Sequence, residues 1–189
     1  MDIKVKKRNG RLESFEVDKI NASAQRACEN IKDVSPSEIV LDAQLQLFDK
    51  ITTAEIDQAL VLSAREKIEK EPNYSYAASK LLLNCLYKEV FKEGVDSDTF
   101  SLQYRKSFVQ NIKKLVSLEV LNSKLLNFDL KMLSESLVLE RDDSFKYLGI
   151  QVLTDRYFIR QDGKAMESPQ AFWMRVAMGL SLNESDPNK

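Results

Sequence analysis

Histidine is absent from this 189-residue chain, which removes the commonest general base and a leading metal ligand. Cysteine is scarce: Cys28 and Cys85 stand far apart, so the chain holds neither a Cys-x-x-Cys redox pair nor a zinc knuckle. Both fall inside apolar helical patterns, where a buried structural thiol is the expected state. Five glycines are too few for a β-sandwich or a glycine-looped α/β enzyme and favour helices. No apolar run approaches the ~18 residues of a membrane span, and the charged N-terminus has no signal region. A cytoplasmic protein without membrane contact is expected. Neither sign of charge dominates, with 28 basic against 29 acidic residues and a net charge of −1. No global field draws such a chain to nucleic acid, so any anion site must be local. What remains, 43% hydrophobic and 30% charged residues, is the profile of a soluble globular protein able to bury a core.

The first twenty residues are the most informative. Two strand-like runs, 3–7 and 12–17, flank Asn9-Gly10, the pair that best supplies the positive φ angles of a type I′ hairpin turn. The hairpin carries Lys4, Lys6, Lys7, Arg8 and Arg11. It then meets Asp18, read here as the N-cap of a helix. Cations gathered beside a helix start suit a phosphate group. A basic hairpin is also compatible with a merely solvated ribbon.

Helical patterns follow. Residues 18–30 place Ile20, Ala24, Ala27 and Ile31 on one stripe. Ser35-Pro36-Ser37-Glu38 has the residues of a capping box with proline at N1, opening a helix to about Phe48. Thr52-Thr53-Ala54-Glu55 repeats the device before Ile56, Leu60, Ala64 and Ile68. Glu71-Pro72-Asn73 interrupts, and residues 74–93 form a fourth helix. Residues 94–101, rich in Gly, Asp and Ser, read as a linker. Beyond it, helical patterns cover 101–115, 122–127, 130–139 and 146–156. Tyr157-Phe158-Ile159 reads as a strand and Asp162-Gly163 as a turn. A last helix from Ser168-Pro169 carries Phe172, Trp173, Val176, Ala177 and Leu180 around most of its circumference, as if seated inside something larger. Nine residues later the chain stops, so it is expected to be a fragment.

The pattern Val5-x-Lys7-Arg8-Asn9-Gly10-x-x-Glu13-x-Phe15, followed by Asp18-Lys19-Ile20, resembles the ATP-cone, a regulatory nucleotide-binding domain at the front of many ribonucleotide reductases. Thr53, Pro72-x-Tyr74-x-Tyr76-Ala77-Ala78 and Lys88 extend the likeness. The segment Tyr157-Phe158, Glu167-Ser168-Pro169-Gln170 and Trp173-Met174-Arg175-Val176-Ala177-Met178-Gly179-Leu180 is similar to the approach to the barrel of the class I reductase large subunit. The resemblance implies a mainly α fold. A β-hairpin and four helices form the cone over residues 1–93, with a linker at 94–101 and a helical lead-in over 102–189. It further implies a site in which ATP activates and dATP inhibits, with Mg²⁺ as companion ion. Lys7 and Arg8 match phosphate-contacting positions, and Lys19 and Lys88 add charge. Glu13, Ser14, Phe15, Glu16, Val17, Asp18 and Lys19 match the passage around base and sugar. Within it Glu13, Glu16 and Asp18 supply acceptors, while Val5, Phe15, Val17 and Ile20 flank the base. Thr53 offers a hydroxyl and an amide at a helix start. Asp57 and Cys85 stand where reductases often carry histidine, and a carboxylate at Asp57 calls for Mg²⁺ or a sugar hydroxyl beside phosphate.

The implied partners are an adenine nucleotide, the remaining catalytic barrel, a radical-generating beta subunit and further copies of the chain in a nucleotide-dependent oligomer. The reductase's redox and thiyl-radical cysteines match neither Cys28 nor Cys85, so the chain by itself is expected to be inactive. A cone-bearing repressor would need a four-cysteine zinc ribbon, which the sequence lacks. A helical interaction module with a non-binding cone is the remaining rival.

Overall fold

The computed structural model describes residues 3–8, 10–92 and 94–184. It is mainly helical, with short strands, and packs as two compact units. One comprises residues 1–85 with 143–152, the other 86–142 with 153–189.

In the first unit β1 (Lys4–Lys6) is the middle strand of a three-stranded sheet. It pairs antiparallel with β2 (Leu12–Ser14), Val5 opposite Glu13. The tight turn is closed by the Gly10 amide on the Lys7 carbonyl at 2.8 Å, with Gly10 at φ 84°. Such a φ is open to glycine and costly for most side chains. Asn9, the other half of the expected turn, lies outside the described residues. On its other edge β1 pairs in parallel with β3 (Ile51–Thr52), Val5 beside Ile51 and Lys6 beside Thr52. Two residues give no periodicity, so this strand has no sequence signal of its own. Lys50, at φ 63°, turns the chain into it and donates its amide to the Lys4 carbonyl.

Helix α1 (Val17–Cys28) starts one residue earlier than expected, with Glu16 at the N-cap and Asp18 inside the first turn. Asp18 is therefore no cap; at that position it complements the helix dipole instead. Ile20, Ala24 and Ala27 are buried as the stripe requires, joined by Cys28, whose thiol burial pushes up to about 11. Helix α2 (Pro36–Gln44) has Ser35 accepting the Glu38 amide at 3.3 Å. Only half of the expected capping box forms. The Glu38 carboxylate goes to the Tyr74 hydroxyl at 3.2 Å and to Lys67 at 3.5 Å. Tertiary partners thus outbid the local one. The helix also stops short of Phe48, because the chain must turn back to lay β3 along β1. The amides of Gln46 and Leu47 bond three residues back and tighten the exit.

Helix α3 (Thr53–Glu66) has the complete box: Thr52 Oγ1 accepts the Glu55 amide at 3.2 Å and Glu55 accepts the Thr52 amide at 2.8 Å. Helix α4 (Tyr74–Phe91) contributes residues 74–85 to this unit. Its Tyr74 hydroxyl accepts the Ser35 amide at 2.9 Å, fixing the start of α2. The same turn holds the 143–152 segment. Ser75 accepts the Tyr147 amide at 3.2 Å, and the Lys146 ammonium stands 5.5 Å from the Tyr76 ring.

The second unit takes the end of α4 and α5 (Phe100–Ser117), which buries Tyr104, Phe108, Ile112 and Leu115 at helical spacing. The pattern expected at 122–127 is a 3₁₀ turn, Ser123–Asn127. That at 130–139 divides into α6 (Leu130–Glu135), capped by Asp129, and a 3₁₀ turn from Leu139. After α7 (Tyr147–Arg156), the strand expected at Tyr157-Phe158-Ile159 is displaced to β4 (Arg160–Gln161). The amides of Tyr157 and Phe158 both bond to the Leu153 carbonyl, so they end the helix and cannot pair in a sheet. Asp162 and Gly163, at φ 51° and 76°, make the expected tight turn to β5 (Lys164–Ala165). Helix α8 (Pro169–Leu180) buries Phe172 and Met178 but exposes Trp173 and Leu180. The expected ending at 185–189 lies outside the described residues.

Two buried polar groups lock this unit. Asp142, 3% exposed, accepts the Tyr87 and Tyr104 hydroxyls and the Gln170 side-chain Nε2, each at 2.8 Å. Burial, then the Asp142 charge, hold the Tyr104 phenol well above the usual tyrosine range. Glu167, also 3% exposed, accepts both the Arg175 guanidinium and the Ile159 amide.

Thr52→Ala should lower stability by about 1 kcal/mol through the lost cap, whereas Thr53→Ala changes it far less; paired thermal melts decide. Glu167→Gln should cost about 3 kcal/mol, because Arg175 keeps its charge without its counter-ion. Urea titrations of the two proteins measure that loss.

Candidate functional site

The parallel pairing of β1 with β3 assembles the candidate site. Because β3 runs directly into α3, that ladder brings the basic end of β1 to the first turns of α3. Lys6 stands in register with Thr52. One step on, Arg8 reaches α3, its Nη2 4.0 Å from Asp57 Oδ2. Asp57 keeps only 13% of its side chain exposed, against 44% for Arg8. Thr53 occupies the first helical position of α3 and is half-buried. The adjacent cap consumes the amides of Thr52 and Glu55.

On the other side of β1 the cations meet the passage from β2 into α1. Lys7 Nζ lies 3.5 Å from Glu13 Oε2, and Lys19 Nζ 2.8 Å from Glu16 Oε1. The bond from Lys19, helped by Lys7, holds the Glu16 carboxyl below the usual carboxylate range. The same bond raises the Lys19 ammonium, and Glu13 adds to it. All four groups are open to solvent, which screens them. They form a strip of alternating charge, Glu13, Lys7, Glu16 and Lys19.

The apolar candidates divide. Val5 and Ile20 are each 6% exposed and belong to the core beneath the strip. Phe15 is half-buried, its amide extending the hairpin ladder to the Ile3 carbonyl, and Val17 is exposed. Ser14 pairs with Lys4 at the open end of the hairpin, and Asp18 is exposed in the first turn of α1. Lys88 sits half-buried on α4, among the residues of the second unit. Lys6, one of the hairpin cations, stands beside Thr52 because β1 pairs with β3.

Comparison with known proteins accounts for this arrangement. The family model for the ATP cone domain matches residues 3–89, and that for the ribonucleotide reductase all-alpha domain matches residues 143–189. The chain is 39% identical, over 99% of its length, to a ribonucleoside-diphosphate reductase subunit alpha of Helicobacter pylori, covering 23% of it. It is homologous to the N-terminal region of ribonucleotide reductase alpha subunits. The Chlamydia muridarum subunit alpha is 40% identical over 87% of this chain, and the Danio rerio large subunit 30% over 92%. The chain spans less than a quarter of the length of these relatives. The hairpin, α1, α2, α3 and most of α4 thus fall within an ATP cone.

Among the described residues of the cone and its continuation, no helix is long and apolar enough to cross a membrane. No group of three or more Cys, Asp or Glu residues among them is placed to hold a metal ion unaided. A divalent ion at the cone would need ligands from the nucleotide, the usual arrangement for Mg²⁺ at phosphates.

The Glu16 carboxyl should titrate below the ordinary glutamate value and return toward it in Lys19→Met. Carboxyl ¹³C shifts followed from pH 7 to pH 2 provide the test. A lowered native pKa stabilises above the unfolded value and loses that contribution as pH falls through the native one.

Proposed function

We propose that this chain is the allosteric nucleotide-binding portion of a ribonucleoside-diphosphate reductase large subunit, with the cone over residues 1–93, a linker at 94–101 and the helical lead-in over 102–189. ATP activates and dATP inhibits through one site. Lys7 and Arg8 take the phosphates, with charge from Lys19 and Lys88. Glu13, Ser14, Phe15, Glu16, Val17 and Asp18 receive base and sugar over a floor made by Val5 and Ile20. Thr53 contributes from the start of α3, and Asp57 lies at the phosphate end, where Mg²⁺ accompanies the nucleotide.

The observation that supports this reading is the convergence of Arg8 and the first turns of α3, 4.0 Å apart at Asp57, within the segment matched by the ATP cone. A helix N-terminus and a guanidinium each favour phosphate. Each charge-assisted contact is worth about 1.5–3 kcal/mol.

In this reading the oxidoreductase chemistry of deoxyribonucleotide synthesis belongs to a barrel that continues from the lead-in and to a radical-generating beta subunit. This portion supplies control in the cytoplasm, without nucleic acid or membrane as partner. ATP and dATP differ by one hydroxyl, and a ligand shifts an equilibrium only by its differential affinity for two states. The difference is expressed as a change in the number of associated copies, dATP favouring the larger assembly. One observation favours a rival, a helical assembly module whose cone binds nothing. Lys7, Arg8 and Lys19 each already face a carboxylate.

Melting the protein with Mg²⁺-ATP, Mg²⁺-dATP and Mg²⁺-GTP decides between them. At a hundred times its Kd, a ligand adds about 2.7 kcal/mol, a shift of several degrees. An adenine-specific shift, lost in Lys7→Ala and in Lys88→Ala, is expected. No shift with any nucleotide would hand the chain to the rival.

A further inference from the structure

On α5 the residue pattern departs from that of a simple core helix. Its apolar stripe, Tyr104, Phe108, Ile112 and Leu115, is buried as expected. Beside that stripe runs a polar row at the same helical spacing, Gln103, Ser107 and Gln110, with Asn111 next in sequence. Ser107 and Asn111 are only 5% and 6% exposed. Buried polar groups are costly unless bonded, and each of these spends a hydrogen close by. Ser107 Oγ donates to the Tyr104 carbonyl at 2.7 Å, and Asn111 Nδ2 donates to the Met166 carbonyl at 2.9 Å. The Asn111 amide keeps a second hydrogen. Gln103 is fixed by the neighbouring loop, its Nε2 donating to the Gly94 carbonyl at 3.0 Å and its Oε1 accepting the Asp96 amide at 3.4 Å. This row and the end of α4 wall a cavity of about 60 Å³, which Lys92 and Lys106 also line.

The charge around this cavity has one sign. Lys92 and Lys106 are exposed, and neither ammonium pairs with a carboxylate among the described residues. No Asp or Glu is among the described lining residues. Glu89, three positions before Lys92 on α4, is committed to the Ala165 amide at 2.9 Å and to Arg160 at 3.8 Å. In the cone, by contrast, Lys7, Arg8 and Lys19 each face a carboxylate. We propose that this cavity is a binding site for a single phosphate group. Lys92 and Lys106 supply the charge, and Gln110 and Asn111 supply amide hydrogens. Two ammonium groups match a phosphate group, which carries about −1.5 to −2 charge at pH 7. The volume corresponds to about two waters at ~30 Å³ each. It holds a compact oxyanion and no base or sugar, so only the phosphate of a larger ligand enters. This site is separate from the nucleotide site of the cone and does not rest on it.

The test follows the side-chain amide signals of Gln103, Gln110 and Asn111 in ¹H–¹⁵N spectra of the full chain. Orthophosphate and glycerol 3-phosphate are titrated separately, with sodium chloride at matched ionic strength as the control. The Gln110 and Asn111 signals should move saturably with phosphate and stay in place with chloride. Lys106→Gln and Lys92→Asn should each weaken that binding about fivefold, the upper scale of one exposed charge pair. Asn suits position 92 because it tolerates the φ of 61° found there. The backbone signals of both variants report whether they remain folded. A response to orthophosphate alone assigns the site to the free ion, and a response to glycerol 3-phosphate assigns it to the phosphate of a larger ligand. Either supports the proposal. No saturable movement with either compound, the same movement in chloride, or undiminished binding in both variants would overturn it.

Discussion

A ladder of two residue pairs, Val5 with Ile51 and Lys6 with Thr52, ties a basic hairpin to the start of α3. Strands this short contribute little as hydrogen-bonded ladders. Their strength comes from Val5 and Ile51, both buried in the core of the unit. Once that apolar pair is seated, the register is fixed, because a slip of one residue would turn Val5 to solvent and Lys6 inward. The rest of the site follows: Thr52 caps α3, and Arg8 comes within reach of Asp57.

The first unit is held together by polar side chains that leave their local partners for tertiary ones. Glu38 could have closed its own capping box and instead joins Tyr74 and Lys67, and Lys67 also binds Asp42 at 2.6 Å. Tyr74 in turn satisfies the Ser35 amide at the start of α2. These contacts tie α2, the end of α3 and the first turn of α4 into one network. Ser75 and Tyr76, next in sequence, engage the 143–152 segment. The Tyr74-x-Tyr76 motif, which the sequence marks only by resemblance, therefore has a packing role. Its two tyrosines face different neighbours from one helical turn.

The second unit uses a different device. Its core carries two acidic groups, Asp142 and Glu167, each saturated by donors from several segments. Buried charge of this kind is costly when unpaired, so it selects one arrangement of the irregular chain between α5 and α8. Short 3₁₀ turns and the six-residue hairpin Arg160–Ala165 are adequate there, since the network rather than helix length specifies the path.

The sequence by itself determined the mainly helical class, the basic hairpin, the capped start of α3, the apolar stripes of α1 and α5 and the Asp162-Gly163 turn. All are local properties, written in periods, caps and turn residues within a few positions of one another. The likeness to the ATP cone was legible for the same reason, as a short motif with fixed spacing. Only the tertiary structure decided β3, because two residues carry no period. It moved the cap from Asp18 to Glu16, ended α2 at Gln44 and displaced the strand after α7. The end of α2 follows from the return of the chain to pair β3 with β1, and the strand shift from the amides of Tyr157 and Phe158 closing α7 on the Leu153 carbonyl. It alone set Val5 in the core and paired Arg8 with Asp57, since burial and ion pairing depend on distance in space, which the order of residues does not record.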